Sequence, residues 1–373
     1  MKRQQYLDLI NFQFSIHSVC GLLGPRQVGK TTLAKQCAQT FKSVHFFDLE
    51  NPFDLTRLEN PMLTLSNIEA DLIVIDEVQR VPELFPILRV LVDEKPRKFL
   101  ILGSASRDLL QQSSETLAGR IGYIELFPFS FSETQEQTIL WTRGGFPHAY
   151  LANSDQKSYA WRQDYITTFM ERDIPALGFN IPPLLVRRLW MMLAHNHGGV
   201  LNSSELGSAL GITHHTVRKY IEILAGTFMV RILHPWFENI SKRQVKSPKV
   251  YIRDSGILHA LLGLQSYDAL QVYGRLGALW EGFALEEIIK FYHATPEECY
   301  FWGTPSGVEL DFLLIKDGKK LGFEFKYADA PKVTKSMIIA IEDLKLDHLT
   351  IVYPGNQNFP LAENISAQGL ALV

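Results

Sequence analysis

The nine residues from Gly24 to Thr32, GPRQVGKTT, constrain this chain more than any other stretch. They spell a complete phosphate-binding loop, Gly-x-x-x-x-Gly-Lys-Thr. The apolar run Ser18 to Leu23 leads into it as a buried parallel strand, and Lys30 to Cys37 leaves it as a good helix former, so the flanking elements that the motif requires are present. Gly24 and Gly29 let the backbone curl with its N–H groups turned inward. The helix N-terminus adds partial positive charge beneath bound phosphates. Gly24, Pro25, Arg26, Gln27, Val28, Gly29, Lys30, Thr31 and Thr32 are therefore read as a nucleoside triphosphate site. Lys30 is expected to reach the β and γ phosphates and the Thr31 hydroxyl to ligate Mg²⁺.

A second part of the same site is expected at Asp71 to Glu77, where continuous aliphatics mark a strand buried on both faces and two carboxylates stand at its C-terminal end. Asp76 is placed to hold Mg²⁺, and Glu77 to orient and deprotonate an attacking water. Val44 to Leu49 reads as another strand, and Phe99 to Ser104 as a fourth, whose polar tip offers Ser104 or Ser106 to the γ-phosphate. These features resemble the AAA-type ATPases, over roughly the first 130 residues. The resemblance implies ATP as the nucleotide, a sensor strand beside the acidic strand, and an arginine that completes the site, in some cases from a neighbouring subunit. Arg120 is the first choice for that role, with Arg107 and Arg80 behind it, and a homo-oligomer would follow from it.

With 373 residues, 46% of them hydrophobic, the chain is long enough for two or three domains with cores of their own. Cys20, Cys37 and Cys299 are few, odd in number and without metal-ligand spacing, so they read as small core residues in a reducing compartment. Polar residues interrupt every apolar run well short of the ~18 residues that span a bilayer. A soluble cytoplasmic protein without a membrane partner is the expectation.

The formal net charge of −3 argues against indiscriminate nucleic-acid binding, yet Lys242, Arg243, Lys246, Lys249 and Arg253 follow one another with no acidic residue among them. A helix-turn-helix pattern precedes them. Ser203 is read as the cap of a first helix to Leu210, Gly211 as the turn, and Thr213 as the cap of a second helix from His214 to Leu224. Leu206, Leu210, Ile212, Val217, Ile221 and Leu224 would form its core, leaving His214, His215, Arg218, Lys219 and Glu222 outward for a major groove. Phe228 to Leu233 and Lys249 to Ile252 read as two strands of a wing with the basic stretch at its tip. The pattern resembles a winged helix-turn-helix domain, and implies double-stranded DNA as partner. A winged helix used only for packing is the alternative.

In the last third, Asp317-Gly318 signals a tight hairpin between Gly307–Ile315 and Lys320–Tyr327. With those two residues as the loop, Asp311 stands opposite Glu324. Opposed carboxylates call for a cation between them, and Mg²⁺ or Mn²⁺ is the usual occupant. With a loop two residues longer, Asp311 instead faces Lys326 in an ordinary ion pair. Asp311 followed by Glu324-Phe325-Lys326, with Glu281 on an upstream helix, resembles the PD-(D/E)XK nuclease superfamily, except that the aspartate lies in Glu-Leu-Asp rather than Pro-Asp.

Taken with Phe127 to Glu133 and Gly144 to Pro147, these parts resemble the AAA-family ATPases of the AAA_14 type that carry a C-terminal DUF4143 domain. The implied architecture is α/β: an AAA-like P-loop parallel sheet over 1–135, a helical lid and winged helix over 136–255, and a restriction-endonuclease-like α/β domain over 256–373. The implied function is a Mg-ATP hydrolysing ATPase coupled to DNA, with metal-dependent cleavage by the last domain. Two alternatives stand beside it: an ATP-dependent regulator whose nuclease-like domain is inactive, and a protein-directed ATPase of a toxin or defence system.

Overall fold

Continuous aliphatic runs become the first sheet. β1 (Val19–Leu23), β2 (Val44–Asp48), β3 (Leu72–Asp76), β4 (Lys98–Gly103) and β5 (Ile121–Glu125) lie in the order β2-β3-β4-β1-β5, all parallel. In the computed structural model, which describes residues 2–106, 117–239 and 242–372, this sheet belongs to a unit made of Met1–Pro128, Ala176–Phe179 and Glu222–Phe228. Every residue of β1 and β3 is buried, as expected for a strand with helices on both faces. Alternate residues feed two cores. Val19, Ile73, Ile75, Phe99 and Ile101 pack with Leu84, Phe85 and Leu88 of the helix Leu84–Glu94. Cys20, Leu22, Val74, Leu100 and Leu102 pack with Ile10 of the helix Gln4–Ile16 and with Leu33 and Cys37 of the helix Lys30–Ala38. Cys20, Cys37 and Cys299 are free and buried, and burial pushes the thiols up, Cys37 to about 11 and Cys299 to about 12.

A second unit holds Phe129–Pro175, Asn180–Ile221 and Met229–Val373. Its sheet has eight strands in the order β12-β13-β11-β10-β9-β8-β6-β7. They are β6 (Val230–Pro235), β7 (Lys249–Ile252), β8 (Cys299–Gly303), β9 (Glu309–Lys316), β10 (Lys319–Phe325), β11 (His348–Tyr353), β12 (Asn358–Ala362) and β13 (Ile365–Gly369). The helix Lys335–Leu344 covers it through Met337, Ala340 and Leu344. On the helix Leu276–Tyr292, Tyr292 meets Phe323 of β10 edge to face and Trp280 Nε1 donates to the Val352 carbonyl.

β6 and β7 pair antiparallel, as a wing would, but β6 also pairs with β8 in parallel. The expected wing is thus an edge of the large sheet, and the boundary expected at 255/256 falls inside the second unit. The reason lies in the strand surfaces: the four residues of β7 are all buried, which a solvated wing would not allow.

The two phrases Phe127–Glu133 and Gly144–Pro147 have structural roles. Asp254 accepts from Gly145 N at 2.8 Å and caps the helix Ser255–Leu261 through Ile257 N at 2.9 Å. Glu287 accepts from Phe131 N at 2.6 Å. Among the described residues no helix is long and apolar enough to cross a membrane.

Candidate functional site

Parallel strands carry their C-terminal ends to one edge, and three of those ends converge. The loop after β1 curls because Gly29 takes a left-handed backbone (φ 99°), while nothing larger than glycine fits at Gly24, where a Cβ would stand 2.4 Å from the Leu126 carbonyl oxygen. The demand on Gly24 is thus close approach of the chain after β5, rather than the curl expected from sequence.

Lys30, only 5% exposed, donates to the carbonyls of Gly24 at 2.8 Å and Pro25 at 2.9 Å, so its ammonium lies across the mouth of the loop. The Thr31 hydroxyl donates to Asp76 Oδ2 at 2.6 Å. Burial pushes the Asp76 carboxyl upward, against the opposing pull of the Thr31 bond. A hydroxyl from the first turn of the helix Lys30–Ala38 and a carboxylate at the tip of β3 are hard oxygen donors, and they fit Mg²⁺ beside a triphosphate. Arg26 is paired with Glu50 at the outer side of the loop. Gln27 adopts φ 61°, and the helix following Gly29 begins with Lys30, Thr31 and Thr32.

β4 separates the P-loop strand from the acidic strand, and its tip presents Ser104, whose hydroxyl donates to Glu77 Oε2 at 3.1 Å. Glu77 itself stands in a left-handed backbone (φ 57°), which turns the chain sharply after β3. Gln79, which sequence reasoning passed over, donates to both Glu77 and Ser104. Its only signal is position, two residues beyond the acidic pair.

Arg120 is exposed and bound at both ends of a fork to Asp93 of its own chain, at 2.7 and 2.9 Å. Arg80 is exposed, and Arg107 lies outside the described residues.

The helix-turn-helix residues fall largely as read. The helices run Ser203–Leu210 and His214–Gly226, Gly211 takes φ 70° between them, and Thr213 accepts from Thr216 N at 3.2 Å. The first cap is Asn202, not Ser203: its side chain accepts from Glu205 N at 3.2 Å, while Ser203 is buried and accepts from Arg218. Leu210, Val217, Ile221 and Leu224 are buried, and Leu206 and Ile212 half-buried. His214, His215, Arg218, Lys219 and Glu222 are all exposed.

The basic stretch divides. Arg243 and Lys246 are exposed, Lys242 pairs with Asp343 at 2.6 Å, but Lys249 and Arg253 turn inward to carboxylates.

Lys249 leads to a second charged centre. The hairpin register places Lys316 opposite Lys319 and Phe312 opposite Phe323, so Asp311 faces Glu324. Phe325 N donates to Asp311 Oδ2 at 3.0 Å. Lys326 Nζ lies 2.7 Å from Glu324 and 3.5 Å from Asp311, joining both carboxylates. Lys249 Nζ reaches Glu309 and lies 3.6 Å from Glu281, which also accepts from the Tyr251 hydroxyl at 2.6 Å.

Four carboxylates and two ammonium groups are thus drawn together at a place where Asp311 is 8%, Glu324 4% and Lys249 3% exposed. Burial first and then the Asp311 charge push Glu281 up to about 7 and Glu324 up to about 8. Burial would lower Lys249 and Lys326, but the surrounding carboxylates outweigh it and raise both. The lysines supply the positive charge that a divalent cation would bring. Among the described residues no group of three or more His, Cys, Asp or Glu is arranged to hold a metal. The Mg²⁺ or Mn²⁺ expected between Asp311 and Glu324 would compete with the Lys326 ammonium, which bridges the same two carboxylates here.

Comparison with known proteins places names on these parts. Residues 17–135 match the family described as AAA domain, residues 134–268 a domain of unknown function, DUF8612, and residues 276–373 a domain of unknown function, DUF4143. Among solved structures, the Walker-type ATPase PABY2304 of Pyrococcus abyssi aligns with TM-score 0.45 at 14% identity, over 70% of this chain and 95% of that one. The Aeropyrum pernix ORC1 protein in complex with DNA aligns with TM-score 0.35 at 12% identity, over 70% and 92%. The uncharacterised proteins Rv2008c of Mycobacterium tuberculosis and Mb2031c of Mycobacterium bovis are each 47% identical over 350 residues, 93% of this chain and 78% of theirs. With that identity over that span, the chain belongs to the family of these mycobacterial proteins, and it carries an AAA-type ATPase domain and a DUF4143 domain.

Proposed function

We propose that this protein hydrolyses Mg-ATP and couples the cycle to engagement of double-stranded DNA. The observation that carries the reading is the meeting of Lys30 and Thr31, at the start of the helix after the phosphate-binding loop, with Asp76 and Glu77 at the end of β3, and with Ser104 closing the group from the tip of β4. Lys30 and the loop N–H groups bind the β and γ phosphates. Thr31 and Asp76 would hold Mg²⁺, which neutralises charge on the transferring phosphoryl group. Glu77 accepts a proton from water as the water oxygen bonds to the γ-phosphorus and the bond to the β-phosphate oxygen breaks.

DNA engagement is assigned to the exposed face of the helix His214–Gly226, with His214, His215, Arg218 and Lys219, and to Lys242, Arg243 and Lys246. Replacing Arg218 and Lys219 together by alanine should weaken duplex binding and flatten its dependence on salt by about two charges. Fluorescence anisotropy at several salt concentrations checks this. An unchanged slope would move the DNA contact elsewhere.

Of the two readings of the last domain, the non-cleaving one has the support of a specific observation: Lys249 and Lys326 already neutralise the carboxylates. Supercoiled plasmid incubated with the protein, ATP and Mg²⁺ or Mn²⁺ should stay supercoiled. Nicking that disappears in Asp311→Asn would establish the nuclease instead. Arg120 acts across a subunit boundary only by leaving Asp93, and mixing Arg120→Ala with Lys30→Ala protein restores hydrolysis if it does so.

A further inference from the structure

Glu77 ends the buried strand β3, and its left-handed backbone starts the short turn Val78–Arg80. That turn swings the Gln79 side chain back against the tip of β4, where its Oε1 stands 3.5 Å from the place a Cβ on Gly103 would take. The Gln79 amide nitrogen then donates to Glu77 Oε2 and, at 3.0 Å, to Ser104 Oγ. Ser104 Oγ donates to the same Glu77 oxygen at 3.1 Å. Three side chains just beyond the ends of two adjacent strands form a closed triangle, with both donors gripping one carboxylate oxygen. The direction of the amide follows from its partners, because a carboxylate accepts only. The other end of the amide, Oε1, is buried without a partner among the described residues. A glutamine oriented at the expense of its own carbonyl is held there by the carboxylate and the hydroxyl.

We propose that Gln79 is the positioning residue for hydrolysis, fixing the Glu77 carboxylate against the tip of β4 so that water meets a base of set orientation. This rests on the ATPase reading above. A glutamate side chain has several rotamers, and a general base is useful only within hydrogen-bond reach of the proton it takes. Two donors to one oxygen select one rotamer.

The test measures kcat and KM for steady-state ATP hydrolysis by the full chain, for wild type, Gln79→Ala and Gln79→Glu. Gln79→Ala should lower kcat by about 10- to 100-fold, the scale of a misplaced catalytic group. KM for Mg-ATP should stay within about twofold, because Gln79 is set to act on the base and not on the phosphates. Gln79→Glu keeps the shape of the side chain but replaces the donor with a like charge, so it should lower kcat at least as far, again with KM within about twofold. Either variant at wild-type kcat, or a KM that rises in step with the fall in kcat, overturns the assignment while leaving the ATPase reading in place. A wild type without Mg²⁺-dependent hydrolysis overturns both.

Discussion

Replacing Glu77 by glutamine should leave ATP binding intact and slow hydrolysis by at least about 100-fold, the range over which loss of a general base acts. The amide keeps the volume of the carboxylate and can still meet Ser104 and Gln79, so the tips of β3 and β4 keep their arrangement. What disappears is the capacity to take a proton from water. Binding of a fluorescent ATP analogue, measured beside phosphate release, separates the two. A Glu77→Gln protein that turns over at the wild-type rate would mean that another group activates the water.

Glu286 should be the most damaging single truncation in the second unit. It lies on the helix Leu276–Tyr292, 2% exposed, and accepts from Arg231 of β6 at 2.5 and 2.9 Å, with Arg253 3.6 Å away. Burial alone would raise its carboxyl, but the two guanidinium groups overcome that and hold it at about 2. Removing one partner of a buried ion pair strands the others, and Glu286→Ala should destabilise by about 3–5 kcal/mol. The displacement of the carboxyl from its ordinary 4.5 to about 2 gives a similar figure, about 3 kcal/mol at about 1.4 kcal/mol per unit.

The sign fixes the pH window. A carboxyl depressed on folding stabilises fully above its unfolded value, and that contribution fades as pH falls from 4.5 toward 2. Denaturant titrations should show the variant's deficit at pH 7 shrinking across that window. A deficit under about 1 kcal/mol at neutral pH would contradict the assigned role of the pair.

Much of the nucleotide site is legible in the sequence because each part carries a local signal. Leu72 to Ile75 are aliphatic without interruption, which only a strand covered on both faces tolerates, and the loop glycines and Lys30 are fixed by spacing. Asp317-Gly318 sets the hairpin register for the same reason, since a two-residue turn leaves one pairing for Asp311 and Glu324.

The parts that sequence reading missed depend on neighbours distant in the chain. Lys249 belongs to a basic run in sequence, yet Glu281 and Glu309, 32 and 60 residues further on, turn it into a buried counter-ion. The wing reads correctly as a strand pair, but nothing in Val230 to Pro235 announces that β8 will take its other edge. Gln79 carries no chemistry by itself, and acquires a role only when the Glu77 backbone turns it toward Ser104.

We propose a working Mg-ATP site at the phosphate-binding loop and the tips of β3 and β4, with turnover that answers to DNA. Phosphate release by the purified full chain, measured with ATP and Mg²⁺ in the presence and absence of duplex DNA, tests it most directly. Hydrolysis should vanish in Lys30→Ala, because the β and γ phosphates lose their cation, and should rise when duplex is added. Hydrolysis at the wild-type rate by Lys30→Ala, or none by wild type with or without DNA, would contradict it.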